Sequence, residues 1–155
     1  MKTGITTTAL LSVLALCGIH APAVRAATES CHATSEQEIA ALFDRWNAAL
    51  QTLDAAQVVA NYAPSSILLP TVSNQLRLSE EEKLDYFRHF LEKHPVGMVD
   101  FRRIEIECNT AIDAGLYTFA FNDGSRVKAR YTFTYKWDGQ QWRITSHHSS
   151  KLPEN

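Results

Sequence analysis

Two adjacent histidines near the C-terminus carry the clearest potential for chemistry in this 155-residue sequence. His147 and His148 lie on a predicted strand, where neighbouring side chains point to opposite faces, so only one of them can enter a cavity. His148 shares its alternation with Trp142 and Ile144, which are expected to be buried, and we therefore predict that His148 points inward. An imidazole there could act as a general base near neutral pH; a hydrogen-bonded core histidine is the alternative.

Other side chains are candidates for holding a ligand rather than reacting with it. A strand arginine such as Arg130 can bind an anionic group with two hydrogen bonds, unless its face meets solvent or a partner subunit. Aromatic side chains can line a pocket for an apolar or aromatic molecule or simply fill the core, and Asn74 lies in a polar loop that is also typical of a turn. The predicted ligand-binding residues are Trp46, Asn47, Tyr62, Asn74, Tyr86, Phe90, Arg130, Thr132 and His147.

Metal and cofactor chemistry are not indicated by the sequence. Adjacent strand histidines diverge, and no His-Glu-x-x-His motif or Cys/His cluster accompanies them. No Gly-x-Gly-x-x-Gly run follows a predicted strand, and the acidic residues form no convincing pair for proton transfer. We therefore predict no metal and no cofactor. The balance of 15 basic and 17 acidic residues also argues against nucleic-acid binding.

Three helices and a series of strands are expected to position these side chains. Capping residues and helical spacing predict helices that begin after Ser35, Asp54 and Ser79. Strands are predicted at 67–69, 99–109, 116–122, 126–137 and 141–150. Turns at Asp123-Gly124 and Asp138-Gly139, which are typical of hairpins, separate the last three of them. Helices followed by antiparallel strands indicate an α+β fold. We predict a cone-shaped, curved antiparallel sheet that wraps around the long N-terminal helix.

The N-terminus has the pattern of a secretory signal peptide over residues 1–26. Lys2 precedes an apolar run at 9–19, and Val24-Arg25-Ala26 suits cleavage after Ala26. That run is shorter than the roughly 20 residues that a membrane-spanning helix needs. We predict a periplasmic or secreted protein that has no membrane contact after cleavage. A short segment, 27–34, would precede a single domain at 35–151.

Export affects how the cysteines are interpreted. Cys17 would leave with the signal peptide, and Cys31 and Cys108 would remain. Two cysteines in an exported chain are expected to form a disulfide, with two free thiols as the alternative. Lipid attachment at Cys17 is less favoured, because the preceding Leu16 is not a small residue.

Several strings of residues resemble a known family. The sequence is similar to the nuclear transport factor 2-like superfamily, also described as cystatin-like, and within it to the calcium/calmodulin-dependent protein kinase II association domain and its small bacterial relatives. The strings that carry the resemblance are Leu42-Phe43-Asp44-Arg45-Trp46-Asn47-Ala48-Ala49-Leu50, Leu68-Leu69-Pro70-Thr71-Val72-Ser73-Asn74, Tyr86-Phe87-Arg88-His89-Phe90-Leu91, Arg130-Tyr131-Thr132-Phe133, Trp137-Asp138-Gly139, Trp142-Arg143-Ile144 and His147-His148-Ser149-Ser150.

The resemblance implies association through the sheet, as a homodimer or a larger ring, and a pocket inside the cone. Two pocket arginines of the association domain fall on Thr132 and Ser149 here, so its small-carboxylate ligand is placed in doubt; Arg130 could substitute for one arginine. The kinase motifs are absent. We predict an exported, oligomeric module that binds a small organic molecule or serves assembly, without kinase activity. The alternative is a cofactor-independent isomerase, dehydratase or cyclase with a pocket histidine as base.

Overall fold

The computed structural model of the chain describes residues 30–71 and 73–153. The predicted signal peptide, its cleavage site at Ala26 and Cys17 lie outside the described residues. Within these two ranges, every helix is too short or too polar to span a bilayer.

Side-chain caps set the start of each helix. The first helix, α1, spans Glu36–Gln51, and Ser35 and Glu38 form a reciprocal capping box at its start. Asp54 caps the short α2, which spans Ala55–Val59. Ser79 begins α3, which spans Glu80–Leu91, through a second capping box. The three predicted helix starts are confirmed, because each depends on contacts between residues only a few positions apart.

Five strands form one sheet that is not closed into a barrel. They are β1 (Tyr62–Leu69), β2 (Val96–Glu107), β3 (Thr110–Ala120), β4 (Arg126–Trp137) and β5 (Trp142–Lys151). Their order is β1-β5-β4-β3-β2. The four C-terminal strands pair antiparallel, whereas β1 pairs parallel with β5. The predicted α+β fold is therefore confirmed, with a mixed sheet in place of a purely antiparallel one.

The core lies between α1 and the concave face of the sheet. α1 contributes Phe43 and Trp46, which are buried. Their rings contact the strand aromatics: Phe43 packs against Tyr117 and Tyr131, and Trp46 lies 5.4 Å from Phe133, centroid to centroid. Aromatic side chains bury large apolar areas, so this contact fixes α1 across the sheet.

Two bulges interrupt the antiparallel pairing of the sheet. In β2, Val99 pairs with Tyr117 and Phe101 with Leu116, so Asp100 is an extra residue. In β5, Ile144 pairs with Tyr135 and Ser146 with Thr134, so Thr145 is an extra residue. An extra residue reverses the alternation of the side chains that follow it.

The segment before α1 is tied to the far end of the sheet. Cys31 and Cys108 form the predicted disulfide across a sequence separation of 77 residues. The His32 ring stacks on Trp137 with centroids 3.5 Å apart. Its backbone N–H donates to Asn109 Oδ1 at 2.8 Å. This segment is therefore held by the disulfide of Cys31 and by the stacking and the hydrogen bond of the next residue, His32.

Candidate ligand-binding site

A cavity of about 570 Å³ opens between α3 and the concave face of the sheet. Its walls combine one residue of α1 with residues of α3 and of all the strands except β2. Seven of the lining residues are tryptophan, tyrosine or phenylalanine: Trp46, Tyr86, Phe87, Phe90, Tyr117, Phe119 and Phe121. A concave, largely apolar space of this size is typical of sites for small molecules.

The structure brings four of the predicted site residues to this cavity. Trp46, Tyr86, Phe90 and His147 all line it. Tyr62 lies directly behind the wall, where its hydroxyl contacts His147. These five side chains, which come from four separate elements, therefore converge on one place.

Four other predicted site residues lie elsewhere. Asn47 binds the backbone of Gly97 through two hydrogen bonds, of 2.9 and 2.8 Å, and so joins α1 to β2. Asn74 is exposed in the loop after β1 and is not part of the cavity wall. Arg130 and Thr132 lie on the convex face of β4, because Ala129, Tyr131 and Phe133 occupy the concave face. A role for these four residues inside the cone is therefore not supported.

The prediction that His148 points inward is wrong. His147 is buried, with 4% of its surface exposed, and His148 is exposed on the convex face. The extra residue Thr145 is the physical cause, because it reverses the alternation between Ile144 and the histidines. A base at His148 would therefore act outside the cone.

Aromatic rings enclose His147 on two sides. Its imidazole stacks on Phe133 at a centroid distance of 4.0 Å, and Trp46 approaches it edge-on at 5.3 Å. Burial is the main cause that lowers the pKa of His147 to about 3, and the nearby His148 adds a smaller effect in the same direction. The imidazole is therefore neutral at physiological pH.

A short hydrogen-bonded chain assigns the proton on this imidazole. The indole Nε1 of Trp46 donates to Tyr62 Oη at 3.2 Å. Tyr62 Oη lies 2.8 Å from His147 Nδ1. Burial raises the pKa of Tyr62 well above its usual value, so the phenol keeps its proton. Among the described residues this hydroxyl has no acceptor other than Nδ1, so we assign Tyr62 as the donor to Nδ1, which places the hydrogen of the neutral ring on Nε2.

Three hydroxyl groups form a hydrogen-bonded cluster in the cavity wall. Tyr117 Oη donates to Ser149 Oγ at 2.5 Å, and Ser149 Oγ also bonds with Thr71 Oγ1. Ser149 and His147 share the concave face of β5, two residues apart. The family resemblance placed Ser149 at the position of an arginine and did not imply a hydroxyl cluster. The cluster was not predictable from the sequence, because three separate parts of the chain must meet to form it.

Partly or fully exposed charged side chains form the rim of the cavity. Arg77 Nη1 pairs with Asp85 Oδ2 at 3.2 Å, and Asp85 also lies near His89. Glu92 and Lys93 complete the charged lining. The rim is therefore polar, whereas the walls behind it are mostly aromatic.

A buried ion pair lies outside the cavity. Arg102 Nε and the hydroxyl of Tyr131 both donate to Asp113 Oδ1, at 3.1 and 2.9 Å. Burial raises the pKa of Asp113, although the bonds from Tyr131 and Arg102 oppose that shift. The Arg102 guanidinium also lies over the Phe43 ring at 5.6 Å. These contacts join β2, β3 and β4 to α1. Asp113 is not part of the cavity wall, so it is not placed to exchange a proton with His147.

Across the described ranges, no group of three histidine, cysteine or acidic side chains is arranged to hold a metal ion. The site offers instead aromatic surface, one neutral imidazole and a cluster of hydroxyl groups. Such groups can bind and orient a small molecule by stacking and hydrogen bonds.

A family model relates the chain to known proteins. The model of the calcium/calmodulin dependent protein kinase II association domain matches residues 35–153. Among the curated proteins, none matches the chain.

Solved structures give a consistent result. A Xanthomonas campestris protein assigned to the same association domain is 42% identical, with a TM-score of 0.74, and the alignment covers 83% of this chain and 99% of that one. A nuclear transport factor 2-like protein of unknown function from Pseudomonas putida is 19% identical, with a TM-score of 0.68 and coverage of 77% and 87%. A cystatin-like protein of unknown function from Nostoc punctiforme is 16% identical, with a TM-score of 0.66 and coverage of 77% and 92%. The last two share the fold alone.

Proposed function

The chain belongs to the calcium/calmodulin dependent protein kinase II association domain family, and from this premise we propose that it is an exported, oligomeric module that binds a small organic molecule in its cone and has no kinase activity. The observation that carries the proposal is the aromatic cavity of about 570 Å³ with the neutral, buried His147 in its wall.

The state of His147 favours binding over catalysis by a pocket base. A general base needs a free lone pair directed at the proton that it removes. The Nδ1 lone pair of His147 accepts the hydroxyl of Tyr62, and Nε2 carries a hydrogen. The imidazole therefore offers its surroundings a donor, which suits recognition of an acceptor group. The cofactor-independent isomerase, dehydratase or cyclase is not favoured.

The convex face of the sheet supports the oligomeric part of the proposal. One row of paired residues crosses it from Phe101 through Leu116 and Arg130 to Ser150. Phe101 is 61% exposed and Leu116 is 37% exposed. Association is what the family name describes, and the two neighbouring exposed apolar side chains, Phe101 and Leu116, are suited to packing against a second copy. We assign Arg130 to this face rather than to the ligand.

The export part rests on residues 1–26 and on the cysteines. A chain that passes through an oxidising compartment can form and keep a disulfide. The bond between Cys31 and Cys108 is consistent with that route.

Native mass spectrometry of the full chain, expressed in a bacterium and purified from the periplasm, tests all three parts. We expect cleavage after Ala26, a dimer or larger ring, and a small molecule that is released on denaturation. Val127→Trp, in the cavity wall, should abolish the small molecule. Leu78→Trp, on the exposed loop before α3, is the matched control and should retain it.

Each part can fail separately in this experiment. A monomeric mass would contradict the oligomer, and an uncleaved or cytoplasmic chain would contradict export. The same small molecule bound equally by Val127→Trp would place the binding site outside the cone.

A further inference from the structure

His147 carries a hydrogen-bond donor that no described residue uses. Its Nε2 is buried and has no protein partner among residues 30–71 and 73–153. The other ring nitrogen faces Tyr62, which stands behind the cavity wall, whereas His147 itself is part of that wall. Nε2 is therefore the unpaired polar atom of a ring that lines the cavity, and this atom exposes almost none of its own surface. Leaving a buried N–H unpaired is costly, so an acceptor from a bound molecule would be stabilising.

A count of hydrogens gives the hydroxyl cluster one further donor. Tyr117, Ser149 and Thr71 have three hydroxyl hydrogens, and two hydrogen bonds connect the three groups. Tyr117 uses its hydrogen on Ser149. Either Ser149 or Thr71 uses a second hydrogen for the bond between them, and the remaining one is free to be donated. This donor lies on the same wall, since Ser149 follows His147 by two positions on one strand face.

The charges around the cavity argue against an anionic ligand at these donors. His147 is neutral, and the residues beside it on the wall are aromatic or hydroxyl-bearing. The lining carries two basic residues, Arg77 and Lys93, and two acidic ones, Asp85 and Glu92. Arg77 is paired with Asp85 through Nη1, and its buried Nε has no partner among the described residues. A carboxylate beside His147 loses its hydration and meets a lining without net charge, whereas a carbonyl oxygen loses far less.

From these observations we propose that the cavity selects an uncharged aromatic molecule that carries a carbonyl oxygen, with His147 Nε2–H as the donor to that oxygen after a shift of the wall that exposes this atom. The inference rests on the proposed binding function and specifies its ligand class. The aromatic rings supply stacking surface, and the volume of about 570 Å³ accommodates a compound of about two rings. The free hydroxyl of the Ser149 cluster would donate to a second acceptor, where the ligand has one.

Three probes of nearly equal shape separate the contributions. 2-Acetylnaphthalene has the carbonyl, 2-isopropylnaphthalene replaces it with an apolar group, and 2-naphthoate replaces it with a charge. Binding to the ligand-free full-length mature protein is measured by isothermal titration calorimetry. We expect 2-acetylnaphthalene to bind about tenfold more tightly than 2-isopropylnaphthalene, as one added hydrogen bond predicts, and 2-naphthoate to bind most weakly.

Two variants connect the preference to His147. His147→Phe should bind both uncharged probes with equal affinity, and His148→Phe, on the convex face, should keep the tenfold difference. The double variant Tyr62→Phe/His147→Phe removes both ends of their hydrogen bond and guards against misfolding caused by an unpaired phenol. Independently of any variant, the ¹⁵N shifts of the wild-type His147 ring should show hydrogen on Nε2, and the Nε2–H proton should move downfield when 2-acetylnaphthalene binds.

The outcomes distinguish this inference from the function beneath it. Equal affinity of the wild type for the two uncharged probes, or hydrogen on Nδ1, would overturn the carbonyl assignment and leave a binding cavity. Tighter binding of 2-naphthoate would replace it with an anion site. Failure of all three probes to bind, in a protein that also releases no small molecule on denaturation, would overturn both proposals.

Discussion

The Tyr62 hydroxyl lies 2.8 Å from Nδ1 of His147, and the two side chains expose only 5% and 4% of their surfaces. Tyr62 also accepts a hydrogen bond from Trp46. One phenol thus orients the indole and the imidazole that stand in the cavity wall, although the phenol is not itself part of that wall.

Tyr62→Phe should therefore destabilise the fold and loosen the site together. The change leaves both Trp46 Nε1 and His147 Nδ1 without their partner, and unpaired buried groups of this kind cost about 1–3 kcal/mol. We expect that loss in the free energy of unfolding, measured with urea. Tyr86→Phe is the control, because no hydrogen bond of its hydroxyl is found among the described residues, and it should change the free energy by less than about 0.5 kcal/mol. Equal effects of the two substitutions would contradict this account.

The stability of the protein should depend on pH through His147. Burial lowers its pKa in the folded state to about 3, whereas an unfolded histidine has a pKa near 6.5. Between these values the unfolded chain binds the proton and the folded chain does not, so the free energy of unfolding falls as the pH falls. From pH 7 to pH 5 we expect this histidine to account for about 2 kcal/mol of the loss.

Urea unfolding at both pH values checks this contribution. His147→Phe should remove about that amount from the pH dependence, and His148→Phe, whose ring is exposed, should leave it unchanged. An identical pH dependence in the wild type and His147→Phe would show that His147 is protonated equally in both states.

The disulfide should contribute substantially to stability. Its cysteines are separated by 77 residues in sequence, and the chain-entropy relation for that length gives about 4.5 kcal/mol. Cys31→Ala/Cys108→Ala should unfold at a lower urea concentration by a corresponding amount. Dithiothreitol should lower the stability of the wild type and have no effect on the double variant. A wild type insensitive to the reductant, with free thiols detected, would contradict the bond.

Leu116→Glu should weaken self-association. Leu116 lies on the convex face between Phe101 and Arg130, and a carboxylate beside Phe101 loses its hydration when a second copy covers this face. We expect the dissociation constant to rise roughly tenfold or more, measured by sedimentation equilibrium. Leu78→Glu, which replaces a 54% exposed leucine outside this face, is the matched control. An unchanged oligomer in Leu116→Glu would place the interface elsewhere.

Local interactions explain which parts of the structure were predictable. The capping boxes at Ser35 and Ser79 join residues three positions apart, so the sequence contains all the information that they need. The start of β1 was not predicted, because the strand begins at Tyr62 and not at residue 67. Pro64 lies inside it, since an edge strand tolerates a residue without an N–H.

The site depended on contacts that strand alternation alone does not contain. Counting from Ile144 places His148 inside, and only the pairing of β5 with β4 reveals the extra residue Thr145. The partners of Asp113 come from two neighbouring strands, Arg102 in β2 and Tyr131 in β4. The complete burial of Asp113 therefore could not be predicted from its own stretch of sequence. The aromatic part of the wall was predictable because Tyr86 and Phe90 follow helical spacing.

The bulge at Thr145 has a consequence for the tolerance of this strand to a shift of register. The four residues after Ser146 are His147-His148-Ser149-Ser150, so each side-chain type occurs once on each face. If Thr145 paired with Thr134, as it would in a strand without the bulge, the faces would exchange, and His148 and Ser150 would face the cone in place of His147 and Ser149. An imidazole and a hydroxyl would then still stand two positions apart in the wall. The doubled residues thus keep one imidazole and one hydroxyl on each face in either register.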